Sequence, residues 1–129
     1  MTINKVCVSG NLTRDCDLRR TASGLVVVNF CIANNKRKRN TQTGEWENEA
    51  NYINCVMFGK HAEKLANLLV KGVKVVVSGR LQYSAWESEG VRRSKLDVIV
   101  ENIEIMRKLE RHNVEDEPFY SDNGNVYQV

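Results

Sequence analysis

Four aromatic rings lie close to cations in polar stretches of the chain. Tyr52 and Phe58 are six positions apart in Tyr52-Ile53-Asn54-Cys55-Val56-Met57-Phe58. In an extended segment they share a face, with Asn54 and Val56 between them. Trp86 sits in Ser84-Ala85-Trp86-Glu87-Ser88-Glu89-Gly90, with Arg92 and Arg93 just beyond. Trp46 lies in a long polar connection, about residues 34–51, which carries the run Lys36-Arg37-Lys38-Arg39. Exposed rings give unpaired bases a stacking surface worth about 1–3 kcal/mol each. Lysines and arginines neutralise phosphates, and Lys60, Lys71, Lys74 and Arg80 extend the set of candidates. Each feature also has a plainer reading. The basic run could be a solvated loop, and Tyr52 and Phe58 could be core residues. Trp86 has no obvious core to fill in its polar surroundings, so exposure is the better reading there.

Catalytic chemistry finds little support. Gly59-Lys60 has Asn54 where a phosphate loop needs glycine and His61 where it needs Ser or Thr. No Gly-x-Ser-x-Gly occurs. His61 and His112 are far apart, and His61 reads as a solvent-facing residue of a first helical turn. Cys7, Cys16, Cys31 and Cys55 form no Cys-x-x-Cys pair, so neither a zinc site nor any other cofactor is expected. These cysteines read as reduced thiols of an intracellular protein. No apolar run approaches membrane-spanning length, and Met1–Val6 lacks the features of a leader.

The charge is unevenly spread. The 129 residues have a net charge of +3, but residues 1–108 carry +7 and residues 109–129 carry −4. A basic body with an acidic tail fits a nucleic-acid binder with a separate interaction segment. The only proline, Pro118, falls in the tail, which lacks apolar periodicity and is expected to be disordered. The domain division is therefore 1–108 and 109–129.

The elements that must position the rings are mostly strands. Val26, Val28, Phe30 and Ile32 alternate with Val27, Asn29, Cys31 and Ala33. Tyr52–Phe58 is a second strand of this kind. Val73, Val75, Val77, Leu81 and Tyr83 share one face of another, and Leu96, Val98 and Val100 one face of the next. Ile3–Ser9 opens the series. Within residues 61–70, Ala62, Leu65, Ala66 and Leu69 make a helical stripe, which Gly72 ends. Five strands with one helix between the third and fourth is the order of an all-β OB-fold barrel. A helix packed on an open sheet fits the periodicity nearly as well.

Several separated segments resemble one known family. They are Asn4-Lys5-Val6, Gly10-Asn11-Leu12-Thr13-Arg14-Asp15, Ser23-Gly24, Val28-Asn29-Phe30 and Phe58-Gly59-Lys60-His61-Ala62-Glu63. Lys71-Gly72, Val75 through Gly79-Arg80-Leu81, and Trp86 complete the match. In order and spacing, residues 3–106 resemble bacterial single-stranded DNA-binding proteins. The resemblance implies an OB-fold subunit of a homotetramer that wraps single-stranded DNA in replication, recombination and repair. It places the family's stacking positions on Tyr52, Phe58 and Trp86. A fourth such position falls on Lys38, expected instead to contact phosphate, with Trp46 compensating. Ile53 stands where several members carry an interface His. Glu115-Asp116-Glu117-Pro118-Phe119 resembles the family's partner-docking tip, but ten residues follow it. An RNA-binding or protein-binding OB module is the alternative, as is a plasmid, phage or DNA-uptake copy of the family.

Overall fold

The computed structural model describes residues 1–106 and 126–128. In chain order the elements are β1 (Val6–Leu12), β2 (Asp17–Arg20), β3 (Val26–Arg39), β4 (Trp46–Phe58), α1 (Lys60–Leu65), β5 (Lys74–Ser88), β6 (Val91–Met106) and β7 (Val126–Gln128). A 3-10 turn, Ala66–Leu68, tightens the end of α1.

Alternation builds the barrel. The even-numbered positions Val26, Val28, Phe30 and Ile32 of β3 are buried, and Cys55 and Met57 of β4 meet them inside. Val75 and Val77 of β5, and Val98, Val100 and Ile103 of β6, complete the interior. Each such side chain contributes about 1.5–3 kcal/mol through removal from water. Ala62, Leu65 and Leu69 plug the barrel from α1 and the turn that follows it. The expected helical stripe is therefore present, although the regular helix ends at Leu65.

Neighbouring strands run in the order β1-β5-β6-β4-β3, and β1 pairs β3 to close the ring. All pairings in the ring are antiparallel except β4 with β6. This is the five-stranded OB barrel with its helix between the third and fourth barrel strands. The ring consists of two long ribbons. One is β3/β4, zipped from Val27↔Phe58 to Arg39↔Trp46. The other is β5/β6, zipped from Lys74↔Met106 to Ser88↔Val91. Two short seams join them, at Cys55↔Val98 with Val56↔Ile99 and at Asn11↔Ala33 with Leu12↔Ile32. The Asn4 side chain extends the β1/β5 edge. Its amide donates to the Leu81 carbonyl, and its oxygen accepts from the Leu81 N–H, each at 2.9 Å.

The ribbons outgrow the barrel, and here the structure corrects the sequence reading. The supposed loop of residues 34–51 is mostly strand; the connection proper runs from Asn40 to Glu45. It is closed by the Asn40 N–H donating to the Glu45 carbonyl at 2.8 Å. The supposed polar turn around Trp86 is also strand. The turn itself is Glu89-Gly90, with φ of 54° and 76°, the two-residue type that suits the strand twist. Leu81, Tyr83 and Leu96 continue the core-facing alternation, yet all three are exposed. They lie on the part of the ribbon that projects past the barrel wall, with no facing strand to cover them.

Two short strands escaped the periodicity. All four residues of β2 are exposed, and among the described residues it pairs only with β3. β7 pairs with Asn102–Glu104 of β6. Apart from β7, the expected tail lies outside the described residues, including Glu115, Asp116, Glu117, Pro118 and Phe119. Among the described residues, no helix is long and apolar enough to cross a membrane.

Candidate nucleic-acid interface

β4 presents Trp46, Tyr52, Asn54, Val56 and Phe58 on one side, because these positions differ by even numbers. The interior takes Cys55 and Met57 from the other side. Tyr52 is 72% exposed, Trp46 59% and Phe58 38%. The face continues across the sheet. Val56 pairs with Ile99 of β6, and Ile99 pairs with Arg80 of β5. Stepping by two along these strands adds Asp97, Lys95 and Arg93 on β6, and Gln82, Ser84 and Trp86 on β5. Trp86 lies opposite Arg93 and is 42% exposed. One outer surface therefore carries all four rings that the sequence singled out.

Cations are interleaved with the rings. The Arg37 guanidinium carbon lies 5.2 Å from the centre of the Trp46 ring. The Lys95 Nζ lies 5.9 Å from the centre of the Trp86 ring. Both distances are in the range of cation–π attraction, so each tryptophan is held beside a positive charge. Arg39, opposite Trp46, shares this face. So does Arg80, whose Nη1 is 3.4 Å from Glu101 Oε2. Both partners of that pair are half-exposed, so the attraction is weak and a phosphate could compete for the arginine.

The basic run is split by alternation. Lys36 and Lys38 point to the opposite side of the ribbon, where they face Glu49 and Glu47. Arg92 faces Glu87 across its hairpin, and the two line an open pocket with Ala85 and Trp86 at the edge of the ribbon. Lys60 begins α1, beside an open groove of 370 Å³ that also involves Arg20, Leu25 and Glu63. Lys71 and Lys74 belong to the helix end of the barrel. The Lys71 N–H donates to Asp15 Oδ1 at 2.8 Å, and Lys74 pairs with Asn11 and Met106. Lys74 is six residues from Arg80 along β5, about 20 Å. The structure thus gathers Arg37, Arg39, Arg80 and Arg93 around the rings, sets Arg92 at the edge of the Trp86 pocket, and leaves Lys36, Lys38, Lys60, Lys71 and Lys74 on other surfaces. Ile53 is half-buried against the core.

Two members of this surface were missed in the sequence. Lys95 is separated from the basic pairs by Ser94, and only its register beside Trp86 reveals it. Arg14 follows β1 and reaches a polar pocket of 210 Å³ that it lines with Asn29, Asn54, Lys95 and Asp97. Tyr83 is a further exposed ring, at 64%, on the opposite side of its ribbon from Trp86.

Two thiols are tuned by their surroundings. Cys55 is pushed up to about 12 by burial, with smaller contributions from Cys31 and Asp97. Cys16 is raised by burial and by the neighbouring Asp15. A neutral, buried thiol is a packing group and not a nucleophile.

A closed five-stranded barrel with rings and cations along the outer face of its central strands is the architecture of OB-folds that bind oligonucleotides. The family model for single-strand binding proteins matches residues 3–106, and the chain belongs to that family. Over 105 residues it is 44% identical to the single-stranded DNA-binding protein of Borreliella burgdorferi, covering 80% of this chain and 69% of that one. Over 104 residues it is 35% identical to the single-stranded DNA-binding protein of Treponema pallidum, covering 81% and 58%. The crystal structure of a deletion mutant of the single-stranded DNA binding protein from Thermus aquaticus matches with a TM-score of 0.69 at 31% identity. That match covers 86% of this chain and 52% of the other, so this chain spans little more than half of some proteins it matches. The SSB of Plasmodium falciparum in complex with ssDNA shares the fold, with a TM-score of 0.68 at 22% identity, covering 78% and 88%.

Proposed function

We propose that this chain coats single-stranded DNA without reading its sequence and catalyses no reaction. Bases stack on Tyr52, Phe58 and Trp86, with Trp46 as a further platform on the projecting ribbon. Arg37, Arg39, Arg80 and Arg93 meet the phosphates nearest these rings. Lys36, Lys38, Lys60, Lys71, Lys74 and Arg92 serve a strand that wraps beyond this face. Binding unpaired bases in preference to duplex melts hairpins by mass action.

Residues 1–108 form the binding domain in this reading, and residues 109–129 dock replication and repair proteins through Glu115–Phe119. The protein works as a homotetramer in the cytoplasm, at the nucleoid. Exposed Leu81, Tyr83 and Leu96 support assembly, because they leave an apolar strip uncovered in the single subunit. The four free cysteines suit a reducing compartment.

One observation carries the proposal: four exposed rings share a continuous face with four arginines among them. Titration with oligo(dT) of increasing length, read by tryptophan fluorescence alongside light scattering, tests it. Quenching, with a stoichiometry set by oligomer length and the mass of a tetramer, is the expected result. Unchanged fluorescence would remove nucleic acid from the account. A matched RNA oligomer that displaces the DNA would redirect the account to RNA.

A further inference from the structure

A carboxylate lies where a phosphate-binding surface has least use for one. Asp97 is the one buried charged residue among those described, with its side chain 9% exposed. It belongs to the row Arg93, Lys95, Asp97 and Ile99 on the ring-bearing side of β6. Its negative charge repels phosphates, and burying it costs free energy unless a partner offsets the cost. Among the described residues one ion pair reaches it: Lys95 Nζ lies 3.3 Å from Asp97 Oδ2. Arg14 lines the same pocket but makes no such pair there among the described residues.

The same ammonium is 5.9 Å from the centre of the Trp86 ring. Lys95 pairs with Ser84, and Trp86 pairs with Arg93. Lysine and ring are therefore diagonal neighbours on one face, within reach of long side chains. The Lys95 side chain is half-exposed, and a lysine stem in that setting is flexible. Cation–π attraction at an exposed ring is weak on its own. The buried carboxylate supplies the second contact that fixes the ammonium in place. Carboxylate, ammonium and indole thus form a chain of contacts from the barrel wall to the projecting ribbon.

We propose that Asp97 is a positioning residue of the stacking site. It pins the Lys95 ammonium against the Trp86 ring, and so holds both the ring and a phosphate-neutralising charge ready for a nucleotide. The inference rests on the single-stranded DNA reading and says how one platform is held before DNA arrives. Ordering the lysine in the free protein removes a cost that binding would otherwise meet. The effect does not depend on which base is bound, because every base has a face to stack.

Charge alone and positioning predict opposite signs for Asp97→Asn. Removing a negative charge from a face that meets phosphates should tighten binding. Loss of positioning should instead weaken oligo(dT) binding about threefold, the scale of an exposed cation–π contact, as read by the anisotropy of a labelled oligomer. In a Lys95→Gln background the same substitution should no longer weaken binding. A DNA-free measurement accompanies these. With Trp46→Phe, Trp86 is the one tryptophan left, and adding Asp97→Asn should increase its quenching by acrylamide, because the ammonium no longer covers a ring face. Unchanged or tighter binding by Asp97→Asn, the same weakening without Lys95, or unchanged quenching would each overturn the proposal. Should the variant not fold, NMR relaxation of the lysine ammonium groups in the wild type decides. Lys95 should be more ordered than exposed Lys64, and equal mobility would overturn the proposal. Failure of the wild type to bind oligo(dT) would instead overturn the single-strand reading, on which the DNA-free measurements do not depend.

Discussion

At the scale of single residues, exposure decides what each ring can do. Trp86→Ala and Tyr52→Ala should each weaken oligo(dT) binding by about 1–3 kcal/mol, the usual worth of one stacked base, as measured by fluorescence or anisotropy titration. Trp46→Ala separates platform from bystander. Unchanged affinity and unchanged quenching by poly(dT) would remove Trp46 from the interface despite its pairing with Arg37. Cys55 shows the opposite extreme. Its proton is kept in the folded state up to about pH 12, whereas an exposed thiol gives it up near 9.0. The folded pKa is raised, so the contribution of the buried neutral thiol is full below pH 9 and is lost as pH climbs towards 12. At pH 8, alkylation followed by mass spectrometry should modify exposed Cys7 quickly and Cys55 only after unfolding. Equal labelling would show that the barrel opens readily.

At the scale of elements, Gly79 marks where the β5/β6 ribbon bends. The register shifts at Ser78/Gly79, and a Cβ on Gly79 would stand 1.9 Å from the Ile99 carbonyl oxygen. The atoms it would meet are all β6 backbone, which leaves little room to relax. Gly79→Ala should therefore destabilise by about 1–3 kcal/mol or more, visible as a lower denaturant midpoint, while Gly90→Asn at the hairpin tip should cost much less. These elements also show how far sequence reasoning reaches. The barrel strands were legible because one face of each is apolar and the other polar. The shared face of Tyr52 and Phe58 followed from parity alone. The outer parts of the ribbons were not legible as strand. Lys36–Arg39 and Glu45–Glu49 are solvated on both faces, so pairing leaves no apolar trace in them. For the same reason β2 was invisible. Tyr83 and Leu96 failed in the reverse direction: their alternation continues unbroken past the point where the barrel wall stops. The pocket around Asp97 depends on the parallel pairing of Cys55 with Val98, 43 positions apart in sequence, which no local pattern encodes.

At the scale of the whole molecule, charge and topology act together. Log affinity for single-stranded DNA should fall with log salt at a slope of about −0.7 per phosphate neutralised. Substituting Arg37 or Arg93 should flatten that slope more than substituting Lys36 or Arg92, whose positions face carboxylates. A salt-independent affinity would contradict the electrostatic part of the proposal. The two ribbons meet near the rings only at Cys55↔Val98 and Val56↔Ile99, with Tyr52 and Phe58 on one ribbon and Trp86 on the other. A polynucleotide bridging those rings would act as an external stitch across the joint. Deuterium uptake at the backbone amides of residues 54–57 and 97–100 should then slow on loading with oligo(dT), more than it slows at the hairpin tips.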